Sequence, residues 1–211
     1  IEFLDSLQML NPETVIVHGV HLTDSELHRL VQTKTPLVHC PSANLKLASG
    51  FAPIHHYQQE GLIIGIGSDG APCNNSMDPF IEMRLAALIQ KPLFGPEALP
   101  AQKALEFATI GGAQLLGNEH HIGSLEEGKF ADITLVDRSH PSVATVENPY
   151  SALVYSCLGR DVTTVFINGR LIVHEKTHQI LDSEHVKQSC DHQRKALFDR
   201  AFNSKKHTDL T

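Results

Sequence analysis

No apolar run in this chain approaches the roughly twenty residues that a membrane-spanning helix needs, which excludes a membrane partner of that kind. Basic residues are in short supply. Seventeen Lys and Arg stand against 24 Asp and Glu, and the formal charge of -7 argues against a nucleic-acid backbone, since phosphate binding needs a basic face. Cysteine is sparse, and Cys40, Cys73, Cys157 and Cys190 form no C-x-x-C pair. That leaves out a disulfide framework and makes reduced thiols in a cytoplasm the expected state. Internal repeats and low-complexity tracts are absent. An initiator Met is absent too: the chain opens Ile1-Glu2-Phe3-Leu4, so the expectation is an internal start within a longer protein.

What is present suits one large domain, or one and a half small ones: 211 residues, 41% hydrophobic and 19% charged. Three short apolar runs share one design. Val15-Ile16-Val17 leads into His18, Pro36-Leu37-Val38 into His39, and Leu62 to Gly67 through Ser68 into Asp69. Each reads as a buried strand ending at an ionisable side chain. Helices are expected between and after them. Thr23-Asp24-Ser25-Glu26 is a capping box, and Pro53 to Glu60 reads as a shorter helix. Asp78-Pro79 starts a long helix that Pro92 should stop. A further helix is expected from Pro100 to Leu116, with Gly117 as a left-handed stop. Strand–helix units of this length give a parallel sheet, closed into a barrel or open, with ligands at the carboxyl ends of the strands. His18, His39 and Asp69 would all point there.

The texture changes after Gly117. A strand is expected at Ala131 to Asp137, and two β-rich runs flank Asn168-Gly169, a strong hairpin signal. The expected division is residues 1–118 as strands and helices of one α/β unit, 119–175 as a small β-sandwich segment, and 176–211 as a polar helical tail, frayed near Ser204 to Lys206.

A carboxylate such as Asp69 at the end of an apolar strand is costly unless paired, hydrogen-bonded or bound to a cation. The alternative is a cap on the amides of Ala71 to Asn75. His18 reads as a metal ligand or a donor to a reacting oxygen, against a half-buried histidine bonded to backbone. His39 carries the same alternatives, with a supporting role favoured. His21 reads as surface or supporting, His55-His56 as a functionless pair on a helix, and Cys73 as a small buried thiol. The fourteen histidines include several in the tail.

Taken in order, His18-Gly-Val-His-Leu, Val-His39-Cys-Pro-Ser-Ala-Asn44-Leu-Lys-Leu and Gly-Ser-Asp69-Gly-Ala-Pro-Cys-Asn-Asn75-Ser-Met-Asp78 resemble the amidohydrolase superfamily. Within it they look like the branch of methylthioadenosine/S-adenosylhomocysteine deaminases, 5′-deoxyadenosine deaminases and chlorohydrolases. Glu82 to Lys91, Ala108 to Ala113 and Gly123 to Asp132 continue the likeness over residues 1 to 173. Ala43 departs from it, because many relatives place Ser before the Asn. The resemblance implies the C-terminal part of a (β/α)8 TIM-like barrel with strands of a small composite β-sandwich. It also implies one zinc ion per complete subunit, with Asp69 as a ligand and the other ligands and a proton-shuttling glutamate ahead of residue 1. Asp69 and His18 would be the catalytic residues present. Asp69 would take a proton from the attacking water and pass it to ammonia, while His18 steadies the charge on the metal-bound hydroxide or tetrahedral oxygen. The implied substrates are an adenosine-type nucleoside and water, in a homo-oligomer if relatives are a guide. A triazine chlorohydrolase, a guanine deaminase, or a catalytically dead assembly subunit are the alternatives. A lone aspartate cannot hold zinc against water, so the chain by itself is expected to be metal-poor and inactive.

Overall fold

The computed structural model describes residues 1–205. Its elements run α1 (Glu2–Ser6), β1 (Ile16–Val17), α2 (Asp24–Thr33), β2 (Leu37–His39), α3 (Pro41–Lys46), α4 (Ile54–Gln59), β3 (Ile64–Ile66), α5 (Ala71–Asn74) and α6 (Pro79–Phe94). Then come α7 (Ala101–Ala108), α8 (Ile110–Leu115), β4 (Ile133–Val136), α9 (Pro141–Ala144), α10 (Pro149–Ser151), β5 (Val162–Ile167), β6 (Arg170–His174), β7 (Thr177–His178) and α11 (Ser183–Lys205). The first three strands form a parallel sheet in the order β1-β2-β3, with Ile16 beside Leu37 and Leu37 beside Ile64. The last four form an antiparallel sheet in the order β4-β5-β6-β7. Among the described residues no helix is long and apolar enough to cross a membrane. The fraying expected near Ser204 to Lys206 lies in part outside the described residues.

Local chemistry explains several element ends. Thr23 Oγ1 accepts from the Glu26 amide while Glu26 Oε2 accepts from the Thr23 amide, so the capping box closes at the start of α2. Asp78 caps α6 by accepting from the Phe80 amide. In the β5–β6 hairpin, Asn168 and Gly169 take φ of 49° and 73°, as a primed two-residue turn demands.

Two helix boundaries differ from expectation. Pro92 does not stop α6, which runs on to Phe94. A proline this near the end forfeits only one bond, and the last turn is tied down by Gly95 N–H donating to Lys91 O and by Lys91 Nζ on Pro96 O and Ala98 O. The helix expected over 100–116 is broken at Thr109, whose φ and ψ of -122° and -97° separate α7 from α8. The break lets α8 lie against β3. A Cβ built on Gly111 would stand 2.5 Å from Ile64 O and 3.0 Å from Glu106 O, both backbone atoms that cannot swing aside. Gly111→Ala is therefore expected to destabilise the chain by about 1–3 kcal/mol, read as a lower urea midpoint at unchanged slope.

The parallel sheet is covered by α2, α4, α6, α7 and α8. Leu27, Leu30, Leu37, Ile54, Tyr57, Ile64, Ala86 and Phe107 form one buried cluster. Each large aliphatic side chain there contributes about 1.5–3 kcal/mol by leaving water. A second cluster joins Phe80, Met83 and Ala104 to Val143, Ala152 and Val154, which fastens the chain after α8 onto α6 and α7.

Candidate functional site

β1 and β3 each release the chain into a residue with left-handed backbone. His18 has φ of 72° and Asp69 has φ of 59°. A non-glycine residue there is held at a cost of about 1–3 kcal/mol, and such positions gather at working sites. Both side chains turn into the same space. His18 Nε2 lies 3.9 Å from Asp69 Oδ2, and the side chains are 42% and 30% exposed. They border a cleft of about 420 Å³ whose walls include Val17, Val20, Leu47 and Asn44.

The far atom of each side chain is already engaged, which fixes the near one. Asp69 Oδ1 accepts from the Gly70 amide at 2.6 Å, leaving Oδ2 towards His18. His18 Nδ1 pairs with Asn44 Oδ1 at 2.8 Å, so the ring donates there and presents Nε2 to the cleft. The backbone bond expected as the plain alternative for His18 is replaced by this side-chain bond. The amides of Ala71 to Asn75 are not capped by Asp69, whose backbone donor is Gly70 instead.

A second layer holds these two. Asn74, nearly buried, donates from Nδ2 to Ser68 O at 2.7 Å and to Glu82 Oε1 at 2.8 Å. Its Oδ1 accepts from the Met77 amide and from Ser76 Oγ. Glu82, 1% exposed, also accepts from the Ser42 amide at 3.1 Å. Lys46 on α3 reaches Pro72 O and Asn75 Oδ1, fastening α3 to the turn after Asp69. Sequence reasoning gave Asn74 and Glu82 no role. A signal existed: Glu82 and Gln90 sit in phase with buried Ala86 on α6, where a polar residue must find a buried partner.

The other histidine and cysteine candidates named from the sequence, His21 excepted, fall away from the cleft. His39 does not point there, because strand alternation places it beside Leu37 on the face that packs against the helices. It is fully buried, and neither ring nitrogen has a hydrogen-bond partner. Burial, with the neighbouring His18 adding to it, pushes its pKa down to about 3. His55 packs on the Phe94 ring and accepts from the Leu99 amide, and His56 lies 3.7 Å from Asp24. Cys73 is half-buried as a free thiol, while the Cys40 thiol is pushed up to about 11 by burial and by the nearby Asp69 and Glu82 charges, which leaves it unreactive. His21 is exposed and borders the cleft. Among the described residues no group of three His, Cys, Asp or Glu side chains is placed to hold a metal ion.

The model of the amidohydrolase family matches residues 1–172. The chain belongs to that family. Among amidohydrolases it is 42% identical over 184 residues to the 5′-deoxyadenosine deaminase of Methanosphaera stadtmanae, covering 87% of this chain and 43% of that one. It is 40% identical to the 5-methylthioadenosine/S-adenosylhomocysteine deaminase of Moorella thermoacetica, covering 88% and 44%. The crystal structure of an adenosine deaminase from Xanthomonas campestris with bound zinc superposes with a TM-score of 0.90 at 35% identity, covering 92% of this amidohydrolase chain and 45% of the other. The chain thus spans less than half the length of the curated relatives it matches.

Proposed function

We propose that this chain forms the C-terminal part of a (β/α)8 barrel deaminase, with β1, β2 and β3 as consecutive barrel strands and β4 to β7 in a small composite sandwich. The activity proposed is hydrolytic deamination of an adenosine-type nucleoside, with Asp69 and His18 as the catalytic residues this chain contributes. The convergence of Asp69 Oδ2 and His18 Nε2, both on strained backbone at the mouth of one cleft, is the observation that carries this reading.

The donor types fit zinc, which takes carboxylate oxygen and imidazole nitrogen readily. The resemblance to the deaminase branch implies Asp69 as the ligand, with His18, 3.9 Å from it, as a group set beside the metal. When bound, the metal supplies Lewis-acid activation of water near neutral pH. Asp69 accepts the proton that water gives up and returns it to the departing ammonia. His18, anchored by the Nδ1–H it donates to Asn44, donates from Nε2 as well only as the imidazolium, and in that form it steadies the charge developing on the attacking oxygen. The apolar side chains of Val17, Val20 and Leu47 offer one wall to the purine and keep bulk water off it.

The test is to supply zinc and 5′-deoxyadenosine or 5′-methylthioadenosine to the polypeptide that carries the complete site. Decay of the adenine absorbance with one ammonia per nucleoside is expected. A zinc-loaded protein that leaves both nucleosides untouched would rule the proposal out.

A further inference from the structure

The two residues at the cleft come from different strands, and nothing in either strand sets their spacing. What lies behind them does. Glu82 on α6 receives one hydrogen bond from each of the two turns that carry the site. Its Oε2 accepts from the Ser42 amide in the first turn of α3, the helix that bears Asn44, the partner of His18. Its Oε1 accepts from Asn74, which also donates to the carbonyl of Ser68, the residue before Asp69. Asn74 further gathers the Met77 amide and Ser76 Oγ, so the segment from 69 to 77, with left-handed backbone at Asp69, Asn75 and Met77, closes around one buried amide.

We propose that Glu82 is a positioning residue that sets the separation of His18 from Asp69 by holding both of their supporting turns, with Asn74 as its arm to the Asp69 side. The physical case is the cost of the alternative. A carboxylate at 1% exposure is tolerated only with its acceptor sites filled, and here the donors that fill them belong to the two supporting turns. A buried N–H left facing nothing is penalised as well, so neither turn can drift without orphaning a group. Charge-assisted bonds to a carboxylate are also the stronger kind. A helix long enough to span the sheet, itself packed through Met83, Ala86 and Ala87, thus serves as the rigid reference for a site made of short turns.

This inference rests on the reading of His18 and Asp69 as the site, but its test reads the side chains and not turnover. In the isotopically labelled chain, NMR reports the Asp69 carboxyl carbon and the His18 ring nitrogens. Glu82→Met, which removes both acceptors at similar size, is expected to shift both sets of signals. Asn74→Ala is expected to shift the Asp69 signal and leave the His18 ring as in the wild type. If Glu82→Met leaves both at their wild-type positions, or Asn74→Ala moves the His18 ring as far as it moves Asp69, the inference is overturned. Should Glu82→Met fail to fold, Glu82→Gln keeps the shape while setting an NH2 group against one of the two donors. At least one of the two signals then shifts, and neither shifting overturns the inference. Absence of deamination with these shifts intact would refute the proposed function and leave the positioning role in place.

Discussion

Asp69→Asn in the polypeptide that carries the complete site is expected to lower deamination at saturating substrate by at least roughly a thousandfold, and to weaken zinc binding in the same preparation. The substitution keeps the size of the side chain and its acceptor for the Gly70 amide, so the turn is left in place. It removes the negative charge and puts an amide where Oδ2 faces the cleft. A proton acceptor in general acid–base catalysis is worth about 10²–10⁴ in rate, and loss of a metal ligand adds to that. His18→Phe bears on the same question with a smaller fall, because a group that only steadies charge is one of several doing so. The measurement is kcat and KM with 5′-deoxyadenosine beside zinc content by mass spectrometry under native conditions. Retention of more than a tenth of the wild-type kcat at full zinc occupancy would remove Asp69 from the chemistry.

The features that sequence reasoning reached are those encoded within a few residues. An apolar run ending at His18 or Asp69 announces a strand end with an ionisable group, and Thr23 with Glu26, or Asn168 with Gly169, specifies a turn by side-chain chemistry alone. The features it missed depend on what comes near from elsewhere in the chain. Pro92 sits inside a helix because Lys91 reaches carbonyls five and seven residues away. The helix breaks at Thr109 because β3 approaches Gly111. Asn44 follows an alanine where many relatives place serine, yet its bond runs to His18 and needs nothing from residue 43. Glu82 and Asn74 take their meaning from partners 40 and 8 residues distant. A pattern read along one helix can mark a polar residue as buried, but it cannot say which turn that residue holds.

His39 shows the same limit, and it predicts how the fold responds to acid. Three strand ends looked alike in sequence, but one of the three side chains points into the helix layer, where it is fully buried and stays neutral. Its pKa is pushed from 6.5 down to about 3, first by burial and then by His18. Below about pH 6.5 the unfolded chain takes up a proton at this histidine that the folded chain refuses until about pH 3. The unfolded state then binds more protons, so stability is present in full above pH 6.5 and is lost as the pH falls towards 3. At about 1.4 kcal/mol per pH unit the full loss is on the order of 5 kcal/mol, a large share of the margin of an ordinary domain. Urea unfolding of the wild type between pH 7 and pH 4.5 is expected to show a steeper decline than His39→Leu. The leucine variant is expected to lie within about 1 kcal/mol of the wild type at pH 7, because it removes a ring whose nitrogens have no partner in the fold. Every other titrating group is shared, so the difference between the two slopes isolates this side chain. Parallel slopes would mean that His39 takes up its proton within the folded chain, and that the space around it is wet.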